Sequence, residues 1–197
     1  MHDFTRLDEA IMTSLRADIT SLKDQSPDLL LVACGMVEDL TGFFVTGTDA
    51  QWLGGLIGAE EEKSQIAWMP SEWSLSGVDP TDVAPGRVTS AIWELSGTQA
   101  MLDDTGSELC DDDYAALRVG YEDRMILALR QLQTEGELRN ARGRDIWIWL
   151  HSADYSDEEL DDRSFAALHS PELAAQFHGR WGAGTEPLLR KMTSLGL

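Results

Sequence analysis

The sequence predicts an α+β fold, a single domain over residues 1–197 with a mainly antiparallel sheet and helices packed across it. Three observations lead there. Two apolar runs, 29–37 and 43–48, are separated by a short gap that ends on Gly42, the spacing of a hairpin. Around them lie stretches with apolar residues every three or four positions, the helical period. Third, the segment 145–154 sets Ile146, Ile148 and Leu150 on one side and Trp147, Trp149 and His151 on the other. Neither side turns polar before the far end, so this strand is covered on both faces. It is taken as the central strand.

The elements follow in order. In residues 3–24 the series Phe4, Leu7, Ile11, Leu15, Ile19 and Leu22 makes one apolar helical stripe, and Ser26-Pro27 ends it. The hairpin comes next. Thr48-Asp-Ala-Gln51 has the form of a capping box, opening a helix that carries Trp52, Leu53 and Leu56 inward. Residues 65–73 read as a third strand, with Ile66 and Trp68 on one face and Pro70-Ser71 as its end. A loop over 74–85 precedes a helix over 87–103, which Gly97 divides. The clearest helix spans 111–135: Tyr114, Leu117, Tyr121, Met125, Ala128 and Leu132 form its stripe. Three aspartates favour its positive end and Gly136 stops it. After the Trp-rich strand come a helical turn over 161–169 and a helix opened by Ser170-Pro171 and docked by Leu173, Phe177 and Trp181. A hinge at 182–184 and a terminal helix over 186–195 complete the chain.

Length and composition fit one ordinary folded domain, with 43% hydrophobic residues and seven Trp. No apolar run approaches the roughly 20 residues of a membrane helix. The N-terminus lacks a charged-then-apolar signal pattern, so a cytoplasmic location is expected. Cys34 and Cys110 are expected as buried thiols, with a disulfide the alternative. Charge is the most unusual feature: 15 basic against 35 acidic side chains give −20. Such a field repels nucleic acid and anionic membranes and speeds encounter with basic partners. Solubility, or adaptation to salt, accounts for it equally well.

Chemistry-bearing residues are sparse. His151, Ser152 and Asp154 meet at a strand end, where His151 is a candidate base with Asp154 beside it. Ser152 and His151 face opposite ways on a strand, so they form no nucleophile–base pair by themselves, and a hydrogen-bonded structural histidine is the competing reading. No His-x-x-x-His or Cys-x-x-Cys spacing occurs, and the acidic run 154–162 lacks the central glycine of a calcium loop; no metal is expected. Gly54, Gly55 and Gly58 do not follow a strand in Gly-x-Gly-x-x-Gly order, so no nucleotide or other cofactor is expected. Asp154, Asp157, Glu158, Glu159, Asp161 and Asp162 read as a solvated acidic face and are the candidate surface for binding a basic partner. Trp68 and Trp73 flank Pro70 closely, and Trp73 is either core or an exposed anchor for a partner.

Several of these segments together resemble the bacterial domain-of-unknown-function family 4303. They are Gly47-Thr-Asp-Ala-Gln-Trp-Leu53, Trp68-Met-Pro-Ser-Glu-Trp73, Ala128-Leu-Arg-Gln-Leu-Gln-Thr-Glu-Gly136 leading into Ile146-Trp-Ile-Trp-Leu150, and Asp161-Asp-Arg-Ser-Phe-Ala-Ala-Leu-His-Ser-Pro171. The likeness runs along nearly the whole chain, and the Trp-Met-Pro-Ser-Glu-Trp segment is its most specific part. Gly47 and His169 depart from it, standing where asparagine is expected. The resemblance implies a fold and carries no catalytic residues. Small acidic α+β proteins such as the SUKH group look like immunity proteins, which implies by analogy a non-enzymatic binding protein that neutralises a basic toxin domain. The alternatives are a hydrolase using His151 and Asp154, or a regulatory subunit of a larger assembly.

Overall fold

The computed structural model describes residues 3–38, 40, 42–77, 86–97, 111–153 and 155–194, with only the backbone at 111 and 112. Helix α1, Thr5–Gln25, buries the predicted stripe Leu7, Ile11, Leu15, Ile19 and Leu22. Strand β1, Leu29–Met36, is buried along its whole length. It pairs antiparallel with β2, Phe43–Asp49, in register from Met36 opposite Phe43 to Leu31 opposite Thr48, with a one-residue shift before Leu29 opposite Asp49, so the hairpin is present. Helix α2, Ala50–Gly54, starts one residue later than the capping box implies. Asp49, not Thr48, is the cap, its carboxylate accepting from the Trp52 amide at 2.9 Å.

The expected third strand is absent from residues 65–73. After α3, Glu61–Gln65, the chain makes two tight 3₁₀ turns, Ile66–Trp68 and Pro70–Glu72. Pro70 opens the second turn, where its missing N–H costs nothing. The turns fold Trp68 and Trp73 back onto the sheet, and both are buried. The Trp73 indole N–H donates to the Ala67 carbonyl at 3.2 Å. The true third strand, β3, is the two-residue Leu75–Ser76, antiparallel to β2. Alternation of Ile66 and Trp68 over so short a run does not separate a strand from a compact turn.

Helix α4, Arg87–Ser96, ends at Gly97, which adopts a left-handed φ of 71°; the remainder of the expected helix lies outside the described residues. Helix α5, Asp111–Thr134, matches its expected span. Beyond the loop, β4, Trp147–Ser152, is followed by α6, Glu158–Leu168, α7, Pro171–His178, and α8, Thr185–Ser194. Ser170 caps α7 through its hydroxyl as the sequence indicates. Helix α6 starts earlier than expected, because Asp157 caps it by accepting from the Leu160 amide at 3.0 Å. The expected hinge at 182–184 is one turn of 3₁₀ helix.

The sheet order is β3-β2-β1-β4, and β1 pairs with β4 in parallel. Two expectations are thereby corrected. The sheet is mixed and not mainly antiparallel, and β4 lies at its edge while β1 is central. Covering on both faces is a matter of what packs above and below a strand, and it leaves open which strands flank it. The faces of β4 do divide as read. Ile146, Ile148 and Leu150 join the core built with α1, α4 and α5, whereas Trp147 and Trp149 join a second core with Phe165, Phe177, Leu188 and Leu189. Near the end of β1, a Cβ at Gly35 would lie 2.1 Å from the Phe44 ring, which crosses over it, so a larger residue there would have to displace that ring.

Half-buried Asp18 on α1 packs against Gly77, where a Cβ would lie 2.6 Å from the Asp18 Cβ. Burial raises its pKa to about 6. A carboxyl raised in the folded state binds more protons there than in the unfolded chain between the unfolded value, 3.8, and about 6. Stability from this group is therefore complete below the unfolded value and lost as pH rises through the folded one. Asp18→Asn is expected to raise the thermal midpoint at about pH 7 and to make little difference below about pH 4. Thermal melts of both proteins across that range check it, and a gap independent of pH refutes it.

Candidate functional site

The chemistry-bearing side chains gather where β4 ends against α6. Strand β4 has a free edge, and unpaired N–H and C=O groups there invite pairing with another chain. Helix α6 closes it with side chains. The Ser164 hydroxyl accepts from the Leu150 amide at 3.0 Å and lies 3.3 Å from the Leu150 carbonyl. His169 Nε2 lies 3.0 Å from the Ile148 carbonyl and 3.2 Å from its amide. One neutral ring donates to the first or accepts from the second, and burial holds the His169 pKa below its usual value. The ring also stacks on Phe165 at 4.0 Å.

One turn earlier on α6, Asp161 is only 3% exposed. His151 Nδ1 lies 2.9 Å from Asp161 Oδ1, and since the carboxylate can only accept, the ring donates to it from Nδ1. Asp161 Oδ2 accepts from Arg180 NH2 at 3.2 Å, and Arg180 NH1 bonds Asp162 and the Phe177 carbonyl. The Arg180 guanidinium lies 4.0 Å from the centre of the Phe177 ring and is itself 1% exposed. His178 Nδ1 reaches Asp162 Oδ2 at 2.5 Å. Two carboxylates, two histidines and one arginine thus form a connected network with Asp161 and Arg180 buried at its centre and His178 exposed at its end.

That network changes the standing of the predicted residues. Asp161 is buried, not solvated, and Asp162 is half-buried and held by Arg180 and His178. Asp157 is the α6 cap, and Glu158 and Glu159 are exposed. Asp154 lies outside the described residues, and the carboxylate that meets His151 is Asp161. Ser152 is buried, on the opposite side of the strand from His151 as read. Trp73 is 7% exposed and packs edge-on to Trp149 at 5.4 Å, so it presents no anchor to a partner. The exposed aromatic next to the acids is Tyr155, 43% exposed, whose hydroxyl accepts from Arg118 NH2 at 3.1 Å. Cys34 is a buried thiol with its pKa pushed up by burial; Cys110 lies outside the described residues.

Sequence reasoning missed Arg180 altogether. Its one signal was a lone cation among Phe177, Trp181 and glycines. For α6, the Asp157-Glu-Glu-Leu160 start was the available signal, an aspartate cap followed by first-turn acids. Among the described residues, no group of three or more His, Cys, Asp and Glu side chains is placed to hold a metal ion. No helix there is long and apolar enough to cross a membrane. No family model, curated protein or solved structure matches the chain.

Proposed function

We propose that the protein is a non-enzymatic, acidic binding protein that engages a basic protein partner, in the manner of an immunity protein neutralising a toxin domain. On this reading it is cytoplasmic, single-domain and kin to the family 4303 segments quoted above. The observation that carries the reading is how the charge of −20 is distributed. Much of the positive charge is already spent on internal pairs: Arg16 with Glu135 and Glu137, Arg124 with Asp8, Arg163 with Glu122, and Arg180 with Asp161 and Asp162. Exposed acids remain, among them Glu60, Glu61, Glu62, Glu72, Glu158 and Glu159. Tyr155 beside the last two supplies an amphipathic anchor of the kind that dominates interfaces.

Association with the partner is expected to slow steeply with salt, since the Debye length falls from about 10 Å at 0.1 M to about 3 Å at 1 M. Dissociation changes much less. Glu158→Gln with Glu159→Gln slows association, and Tyr155→Ala speeds dissociation. A pull-down from the source cell followed by binding kinetics at several salt concentrations measures both. An acidic partner, or an on-rate indifferent to salt, defeats the reading.

The bond between His151 and Asp161 favours one second reading, in which His151 is an oriented general base. Its Nε2 has no partner among the described residues. No hydroxyl or thiol nucleophile is paired with it there, so the substrate or a water would have to supply the attacking group. Loss of a hydrolytic activity in His151→Gln, with the fold retained, is the result that would bring this reading forward.

A further inference from the structure

In a chain this acidic, a concentration of cations stands out. A surface depression of about 590 Å³ lies between α2, the last turn of α8 and the loop before β4. Arg142, Arg190 and Lys191 line it against one carboxylate, Asp28. These side chains come from separate segments and are brought together by specific bonds. The buried Asn140 side chain donates to the Leu29 carbonyl at 3.1 Å and accepts from the Arg142 and Arg144 amides at 3.0 and 3.1 Å. The loop is thereby clamped to the start of β1, and Arg142 meets Asp28 with NH2 at 2.6 Å from Oδ2.

The remaining cations are incompletely matched. Lys191 Nζ donates to the neutral Gln176 amide oxygen at 2.6 Å. Arg190 meets Glu186, a pair 60% and 45% exposed that holds weakly against a competing anion. Behind the same turn of α8, Arg144 NH1 reaches the Met192 carbonyl at 3.5 Å, and its Nε and NH2 are buried without an acceptor among the described residues. Cations in the last turn of a helix offset its dipole, which accounts for Arg190 and Lys191 alone. It does not account for Arg142 being delivered to the same place by another loop. Ala50 and Ile57 add an apolar wall, and the volume falls in the range of small-molecule sites.

We propose that this depression binds a small anionic molecule, one presenting a phosphate or carboxylate oxyanion to Arg142, Arg190 and Lys191 and an apolar body to Ile57. This site is independent of the acidic surface and of the partner proposed for it.

Calorimetric titration at low ionic strength with phenyl phosphate and with benzoate tests it, as the two share a ring and differ in headgroup. Saturable one-to-one binding is expected from at least one. Binding of phenyl phosphate alone assigns a phosphate ligand, of benzoate alone a carboxylate, and of both an oxyanion read by charge. Arg190→Gln combined with Lys191→Gln changes exposed side chains, and circular dichroism confirms that the variant is folded. It is expected to weaken binding about tenfold or more. Arg139→Gln, whose cation is held by Asp145 and does not line the depression, is expected to bind as the parent does. Absence of saturable heat from both probes overturns the proposal, as does an equal loss in Arg139→Gln and the double variant.

Discussion

Trp149→Ala is expected to destabilise the protein by about 3–5 kcal/mol, the cost of removing a large aromatic side chain from a core that collapses only partly. Trp149 is 0% exposed and packs against Trp73 at 5.4 Å and Phe177 at 5.0 Å between ring centres. It lies in the second core, where α6, α7 and the 66–73 turns meet one face of the sheet, so the loss reaches three segments at once. Trp149→Phe is expected to cost much less. It leaves a smaller void, and it removes an indole N–H that is buried without an acceptor among the described residues. Denaturant midpoints of the two variants check this. An unchanged midpoint in Trp149→Ala would show that this face of β4 is not packed as described.

Arg180→Met is expected to cost a similar amount, about 3–5 kcal/mol, because breaking a buried ion pair strands the partner charge. Asp161, 3% exposed, would keep only its bond from His151, and Asp162 would keep only exposed His178. Much of that cost belongs to the orphaned carboxylate and little to the attraction itself. Arg180→Met combined with Asp161→Leu is therefore expected to be more stable than Arg180→Met alone. A double-mutant cycle from urea denaturation measures the coupling. Single changes that simply add would mean that the two groups do not interact. If Arg180→Met left stability untouched, the network would be a surface feature, contrary to its burial.

Local pattern made much of this fold legible. The α1 stripe, the β1–β2 hairpin, the length of α5 with its Gly136 stop, and the Ser170-Pro171 start of α7 each depend on residues within a few positions of one another. Their physics is equally local: a period, a cap, a turn. The 66–73 segment failed because two alternating apolar residues before a proline fit a strand and a pair of 3₁₀ turns alike. The mixed sheet has a signal in the sequence. Strands buried on both faces, as β1 and β4 are, occur chiefly in parallel pairing.

The candidate site was legible only at one end. His151 at the foot of a strand stood out by residue type, but its partner did not. Asp154 is nearer in sequence, and the run 154–162 looks uniformly solvated because composition alone does not show which carboxylate faces inward. Helix α6 turns Asp161 toward β4 and leaves Glu158 and Glu159 in water, and the Arg180 guanidinium then makes burial of that carboxylate tolerable.

The sequence by itself determined the periodicity of most elements, the division of β4 into an aliphatic and an aromatic face, and the charge of −20. The tertiary structure alone decided that β1 and not β4 is central, that Asp161 is the carboxylate of His151, and that Arg142, Arg190 and Lys191 share one depression. The physical reason is the same in each case. These relations join residues far apart in the chain, and they are set by which helix packs across which strand edge. A local period records which side of an element is buried, but not what it is buried against.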